Sequence, residues 1–336
     1  MQTTAIGDRA HGYSMQAHQT RLKSDLLRLG QELASGQHAD ISREVRGEFS
    51  TLAAMAQSVA SLESHARSAS ETAILLESAQ IALGTLQDVS ADTAPSLISA
   101  GNNGHPALLQ SSSSDARQNF DSVVAAINVR VADRSVFAGM ATDRSPIVGG
   151  PEQLAEIKAV VSGLSDVSDV ITAIDDWFML PGGGFETFAY QGSQTALAPI
   201  PVSETEGVQF KVTAENMVLR RNLMSLALGA LATDLPQITD RADQQRMMRL
   251  GGETLLTSQT DLAILRADVG ALEAQTDQAR ARSQTALSVV ELRRSALYEA
   301  DPYQTATELE LAQAQLEAVY TLTARISRLS LADFLR

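Results

Sequence analysis

Five histidines, forty carboxylates and no cysteine bound the chemistry open to this 336-residue chain. His11 and His18 are seven residues apart. On a helix they share a face but lie about 10 Å apart along it, too far for one metal ion. They are read as ordinary polar residues. His38, His65 and His105 have no second ligand at usable spacing. Gly182-Gly183-Gly184 lacks the Gly-Lys-Ser/Thr ending of a phosphate loop and is read as a flexible turn. Asp166, Asp169, Asp175 and Asp176 have no EF-hand spacing around them and are read as a solvated acidic face. There is no Gly-x-Ser-x-Gly elbow and no thiol nucleophile. Arg220-Arg221 and Arg293-Arg294 are basic pairs in acidic company, open to ion pairing across subunits or to solvent. The expectation is no catalytic, cofactor or metal site, hence no enzyme.

Charge and composition narrow the class further. The formal charge is −14, which argues against nucleic acid, since a phosphate backbone needs a clustered basic surface. No 18-residue apolar run exists, so no membrane span is expected. The first twenty residues are polar, so no ordinary secretory signal is expected either. Aromatics are 4% against 44% apolar residues, a small, aliphatic composition that suits helix-on-helix packing.

Proline placement divides the chain. Residues 1–94 have none, and residues 202–336 have Pro236 and Pro302. Long proline-free ends can be long helices. Met15, Leu22, Leu26, Leu29 and Leu33 follow helical spacing. From Leu52 through Ala56, Val59, Leu62, Ala66, Ala69, Ala73, Leu76, Leu83 and Leu86 every gap is 3, 4 or 7, a heptad seam predicting a helix over 49–90. Gly36 and Gly47 bracket a connector. Residues 91–114, with Pro95, Pro106 and Ser111 to Ser114, read as a loop. A shorter helix then runs to about Val131. The middle carries Trp177, Phe178, Phe185, Phe188, Tyr190 and Phe210. Helices are predicted over 152–178, and strands at Phe185 to Tyr190 and Val208 to Val212. Residues 151–215 hold Lys158 and Lys211 against ten carboxylates, a net −8. A helix over 215–232 follows, then a seam from Leu255 to Ala279, which Gly251-Gly252 should weaken. Asp301-Pro302 is an N-cap followed by proline at the first helical position. The last helix carries Leu309, Ala312, Leu316, Val319, Leu322, Ile326 and Leu329 on one face.

The fold class that follows is mainly α. Long coiled-coil helices from both termini pack together, with a small α+β domain inserted in the middle. The expected divisions are 1–48, 49–134, 135–214, 215–300 and 301–336. An isolated heptad helix exposes its stripe and is marginal. The two terminal helices can cover each other, as the core of a monomeric bundle or as part of a self-assembling subunit.

The last 70 residues resemble the bacterial flagellin family. The matching segments are Arg266-Ala267-Asp268-Val269-Gly270-Ala271, Ala306-Thr307-Glu308-Leu309, Gln315-Leu316-Glu317-Ala318-Val319-Tyr320 and Ile326 to Leu335. Leu29, Leu33 and Ala34-Ser35-Gly36 resemble the N-terminal Leu-Ser-Ser-Gly segment, but Ile41 to Phe49 replaces its usual continuation. Phe137-Ala138-Gly139 followed by Thr142-Asp143 resembles the hook–filament junction branch of the family, the hook-associated protein 3 type.

The resemblance implies an extracellular structural subunit of the flagellum. It would be exported through the flagellar type III channel without a cleaved signal peptide, and held before secretion by an export chaperone. Implied partners are copies of itself, the first hook-associated protein and flagellin. On that footing the assembly interface is assigned to Met15, Leu22, Leu26, Leu29 and Leu33 of the first helix. On the last helix it is assigned to Leu309, Leu316, Val319, Leu322, Ile326, Leu329 and Phe334. The near-balanced charge of residues 241–336, eleven arginines against thirteen acids, suits surfaces that meet their own copies. Lacking partners, the ends of a free monomer, about 1–40 and 302–336, are expected to be disordered. Alternatives are a flagellin forming the filament itself, or a type III secretion tip or translocator protein.

Overall fold

The structure, a computed structural model, describes the backbone of residues 4–44 and 47–334 and the side chains of 10, 12–43 and 47–325. It is mainly α, as the spacing predicts. The helices are α1 (Thr4–Ser35), α2 (Ile41–Glu44), α3 (Ser50–Asn103), α4 (Pro106–Ile127), α5 (Gly150–Val161), α6 (Val167–Met179), α7 (Met217–Leu231), α8 (Arg241–Tyr298) and α9 (Pro302–Phe334). Two antiparallel two-stranded sheets join them: β1 (Arg130–Val131) with β2 (Arg134–Ser135), and β3 (Ile200–Pro201) with β4 (Gly207–Val208). The chain forms two compact units, 1–61 with 285–336, and 62–284. Helices α3 and α8 contribute to both.

In the 62–284 unit one apolar core runs from Ala69, Leu76, Leu83 and Leu97 of α3 through Phe120 and Val124 of α4. It continues to Leu223 and Leu228 of α7 and Leu255 and Leu262 of α8. The middle segment joins the same core through Ile147, Ile157, Ile174, Trp177, Phe178 and Phe185. Phe137, from the junction-type motif, is fully buried, its ring 5.9 Å from that of Phe210. Gly139 has φ +60, and a Cβ there would come within 2.5 Å of the Ser193 carbonyl oxygen. That motif is therefore built into the packing of the middle segment.

Several sequence expectations are corrected. The predicted loop at 91–114 is largely helix: α3 continues through Pro95 to Asn103, and α4 begins at Pro106. Pro95 lies on the exposed side of α3 while Ala94, Leu97 and Ala100 are fully buried. Packing holds the turn, and the carbonyl that proline deprives of a partner is left to water. The serine run is helical because its inner members are satisfied across helices. The Ser113 hydroxyl donates to the Ala230 carbonyl oxygen at 2.9 Å, and Ser112 pairs with Ser96 at 3.1 Å.

Phe185–Ala189 is a single π-helical turn and not a strand. The Phe185 ring lies 6.0 Å from Phe178 and 6.3 Å from Trp177, edge-on to the latter. The Glu186 carboxylate accepts from the Gly182 amide at 2.8 Å. These contacts outweigh the alternation. Gly182-Gly183-Gly184 is a packed turn: a Cβ on Gly184 would overlap the Trp177 indole nitrogen. The second expected strand shortens to Gly207–Val208.

Gly251-Gly252 does not interrupt α8, which is continuous from Arg241 to Tyr298. Its glycines let helices touch. A Cβ on Gly252 would stand 2.8 Å from the Ala94 carbonyl oxygen and 2.7 Å from Ile98 Cγ1, and one on Gly251 2.7 Å from the Ser225 carbonyl oxygen. Gly252→Ala is expected to cost about 1–3 kcal/mol by overpacking. Denaturant unfolding checks this, the result being a lower midpoint at unchanged slope.

The turn between β1 and β2 places Ala132 at φ 47 and Asp133 at φ 61, the left-handed pair of a type I′ hairpin. Neither residue is the asparagine or glycine that such a turn favours. The double change Ala132→Asn and Asp133→Gly is expected to stabilise the chain by about 1 kcal/mol, readable as a small rise in Tm.

Candidate assembly surface

The candidate surface lies in the unit formed by the two chain ends, where α1 packs against α9. The pair is antiparallel, and it departs from the disorder expected at the ends of a free monomer: over the described residues α1 and α9 are helical in the single chain, each covering part of the other's stripe. The Thr323 hydroxyl lies 3.8 Å from Met15 Sδ near one end, and Gln37 bridges Glu299 near the other. The Lys23 ammonium lies 5.8 Å from the Tyr320 ring centroid between them. Helix α9 starts as predicted, with the Asp301 carboxylate accepting from the amides of Tyr303 at 2.8 Å and Gln304 at 3.1 Å.

The seam residues assigned from sequence fall into three groups. Leu22 and Leu29 are buried, and Met15, Leu26, Leu309, Leu316 and Val319 are half-buried. These positions lie on the faces that α1 and α9 offer each other. Leu33 and Leu322 are exposed, at 39% and 54%. The assignments to Ile326, Leu329 and Phe334 lie outside the described side chains.

A second apolar set, not assigned from sequence, is also exposed. On α9, Leu311 is 55% exposed and lies eleven residues from Leu322, which brings both onto one stripe beside the seam. On α1, Tyr13 and Leu27 are 75% and 78% exposed, and helical spacing puts both on the side of α1 away from the seam. The signal for these residues was present but overshadowed. Leu26-Leu27 and Leu311-Ala312 are adjacent apolar pairs, and a one-stripe reading keeps one member of each. Together α1 and α9 can bury one face apiece within the chain while still carrying leucines on others.

The residues weighed for other chemistry have structural partners. Arg220 is buried. It pairs with the Glu186 carboxylate at 2.8 Å, donates from Nε to the Phe178 carbonyl oxygen, and lies 5.1 Å from the centre of the Phe185 ring. Arg221 pairs with Asp261 at 3.2 Å. Arg220 is thus engaged within the chain, while the Arg221–Asp261 pair is partly open to solvent. Asp166 is the N-cap of α6 and accepts from the Ser168 amide at 2.7 Å; that bond holds its carboxyl below the usual range. Burial, then the neighbouring Asp176, pushes the Asp175 carboxyl up. Among the described residues there is no group of three or more His, Asp or Glu placed to hold a metal ion. Among the same residues no helix is long and apolar enough to cross a membrane.

Comparison with known proteins bears on these helices. The chain is similar to the crystal structure of FlgL from Bacillus cereus, with 16% identity over 74% of this chain and 98% of that one and a TM-score of 0.48. It is also similar to a putative flagellar hook-associated protein from Vibrio parahaemolyticus, with 10% identity over 71% of this chain and 95% of that one and a TM-score of 0.42. No curated protein matches the chain. Residues 254–335 match the bacterial flagellin C-terminal helical region. The flagellin likeness read from the sequence therefore holds over 254–335, the stretch of α8 and α9 that carries both the inner seam and the outer leucines Leu311 and Leu322.

Proposed function

We propose that this chain is a structural subunit of the bacterial flagellum, acting as an adaptor that joins the hook to the flagellin filament. The observation that carries this reading is the coincidence of the flagellin-type C-terminal region with exposed leucines on the same helix. A stripe of large apolar residues on a paired helix suits burial in neighbouring molecules. Each leucine so buried contributes about 1.5–3 kcal/mol, and repetition around a ring multiplies a small gain per subunit.

On this reading the partners are copies of the chain, the first hook-associated protein and flagellin, with a type III export chaperone before secretion. The location is extracellular. The acidic segment within 135–214 faces solvent, and the function is mechanical with no catalysis. The junction role in particular rests on Phe137-Ala138-Gly139 and Thr142-Asp143.

A second reading, a flagellin forming the filament itself, is favoured by the same C-terminal match. Seeded polymerisation separates them. The purified chain offered to isolated hook ends is expected to add a short ring and stop. Growth of long filaments from the seeds would favour the flagellin reading, and no addition at all would count against both.

A further inference from the structure

The connector after α1 is held by an arrangement that the assembly role does not by itself require. Helix α1 ends at Ser35, and Gly36, at φ +69, caps it, its amide donating to the Glu32 carbonyl oxygen at 2.8 Å. The next residues form a bridge to the joint between α8 and α9. The His38 amide donates to the Tyr298 carbonyl oxygen at 2.8 Å, the Ala300 amide donates to the Gly36 carbonyl oxygen at 3.0 Å, and Gln37 bridges Glu299. Partners some 260 residues apart in sequence thus meet within the unit formed by the chain ends.

One side chain links the bridge to α1. Glu32 is 3% exposed, unusual for a carboxylate on an outer helix. Both of its oxygens accept from Arg28 Nη1 at 2.9 Å, and Oε1 also accepts from the Ala39 amide at 3.1 Å. The His38 imidazole stands 4.0 Å from Oε2. Around them lies a polar cavity of about 420 Å³ whose walls include Asp40, Arg43, Asp301 and Glu308. Arg43 reaches Asp25 at 3.3 Å, and Arg28 lies 3.7 Å from the same carboxylate. A charge removed this far from water persists where its hydrogen bonds are complete, and here part of that completion comes from the connector backbone.

We propose that Glu32 is the positioning residue of a two-ended clasp. Its carboxylate fixes Ala39, and with it the 36–38 segment, in the conformation that hydrogen-bonds Tyr298 and Ala300. The connector then closes when α1 and the α8–α9 joint are both in place. A carboxylate is needed for two reasons: it neutralises Arg28, and it still offers a lone pair to the Ala39 amide. A glutamine carries no charge to neutralise Arg28 and sets an NH2 donor against the Arg28 guanidinium where the second carboxylate oxygen accepts, and an aspartate falls one methylene short. The clasp is a property of the unassembled chain, so it stands or falls independently of the flagellar reading.

Hydrogen exchange on the full-length, unassembled protein tests it. In Glu32→Gln and in Glu32→Asp, the amides of His38, Ala39 and Ala300 are expected to exchange at least tenfold faster than in the parent chain. Exchange across 62–284 and in the α1 stretch 16–28 is expected to stay unchanged. Unaltered exchange at those three amides in both variants would overturn the proposal. So would a uniform loss of protection along α1 and α9, or across 62–284, because Glu32 would then support the helices generally and not a local closure.

Discussion

Replacing Leu311 and Leu322 together by glutamate is expected to abolish addition of the chain to the proposed assembly while leaving the folded subunit intact. Both side chains are more than half exposed, so neither change opens a cavity within the chain. The α1–α9 seam runs through Leu22, Leu29 and Ala312, all buried, on a different face of the pair. On the proposed reading both leucines are buried against neighbouring subunits, and their loss removes about 3–6 kcal/mol per subunit contact, on the order of a hundredfold or more in association constant. The new carboxylates add desolvation cost. Sedimentation of the purified variant is expected to show a monomer with parental circular dichroism that no longer adds to hook ends. Leu309→Glu is the control. It strikes the half-buried seam face, so it should lower the helical signal of the monomer itself. Normal addition by the double variant would remove the outer stripe from the assembly surface.

Glu186→Ala is expected to destabilise the 62–284 unit by about 3–5 kcal/mol, because it leaves the buried Arg220 charge without its carboxylate. Arg220 is 4% exposed and packs on Phe185, so the orphaned guanidinium has little access to water. The pair also sets a pH dependence. The Gly182 amide first, and then Arg220, hold the Glu186 carboxyl below its usual range. Its stabilising contribution is therefore present above the ordinary glutamate pKa, near 4.5, and is lost as pH falls through the lower folded value. Chemical denaturation between pH 7 and pH 3 should show a shallower acid decline in Glu186→Gln than in the parent chain, starting from a lower stability at pH 7. Equal slopes for the two proteins would show that Glu186 does not carry this dependence.

The sequence made the long helices and their ends legible where local chemistry and packing agree. Asp301-Pro302 starts α9, and the seam from Leu52 to Leu86 lies within α3. It misled where tertiary contact overrides a local rule. Pro95 is tolerated because Ala94 and Leu97 are locked into the core beside it. The alternation at Phe185 to Tyr190 yields to an aromatic cluster and a buried arginine that no window of six residues contains. Gly251 and Gly252 read as helix weakeners in isolation, yet they are contact points once α3 and α7 arrive at their backbones.

The candidate surface was legible in part. Seven-residue spacing finds the stripe that α1 and α9 share, and several of its members are covered by that pairing. Leu27 and Leu311 escape such a reading, because their significance comes from being left outside after the pairing has formed. Glu32 gave no signal at all, since its burial depends on Ala39 and on a chain joint far away in sequence.

Electron microscopy of cells lacking the gene tests the central claim most directly. The account predicts complete hooks without attached filaments, with filament subunits released into the medium and attachment restored by the parent gene but not by the Leu311→Glu, Leu322→Glu double variant. Normal filaments on the hooks of the deletion strain would contradict it.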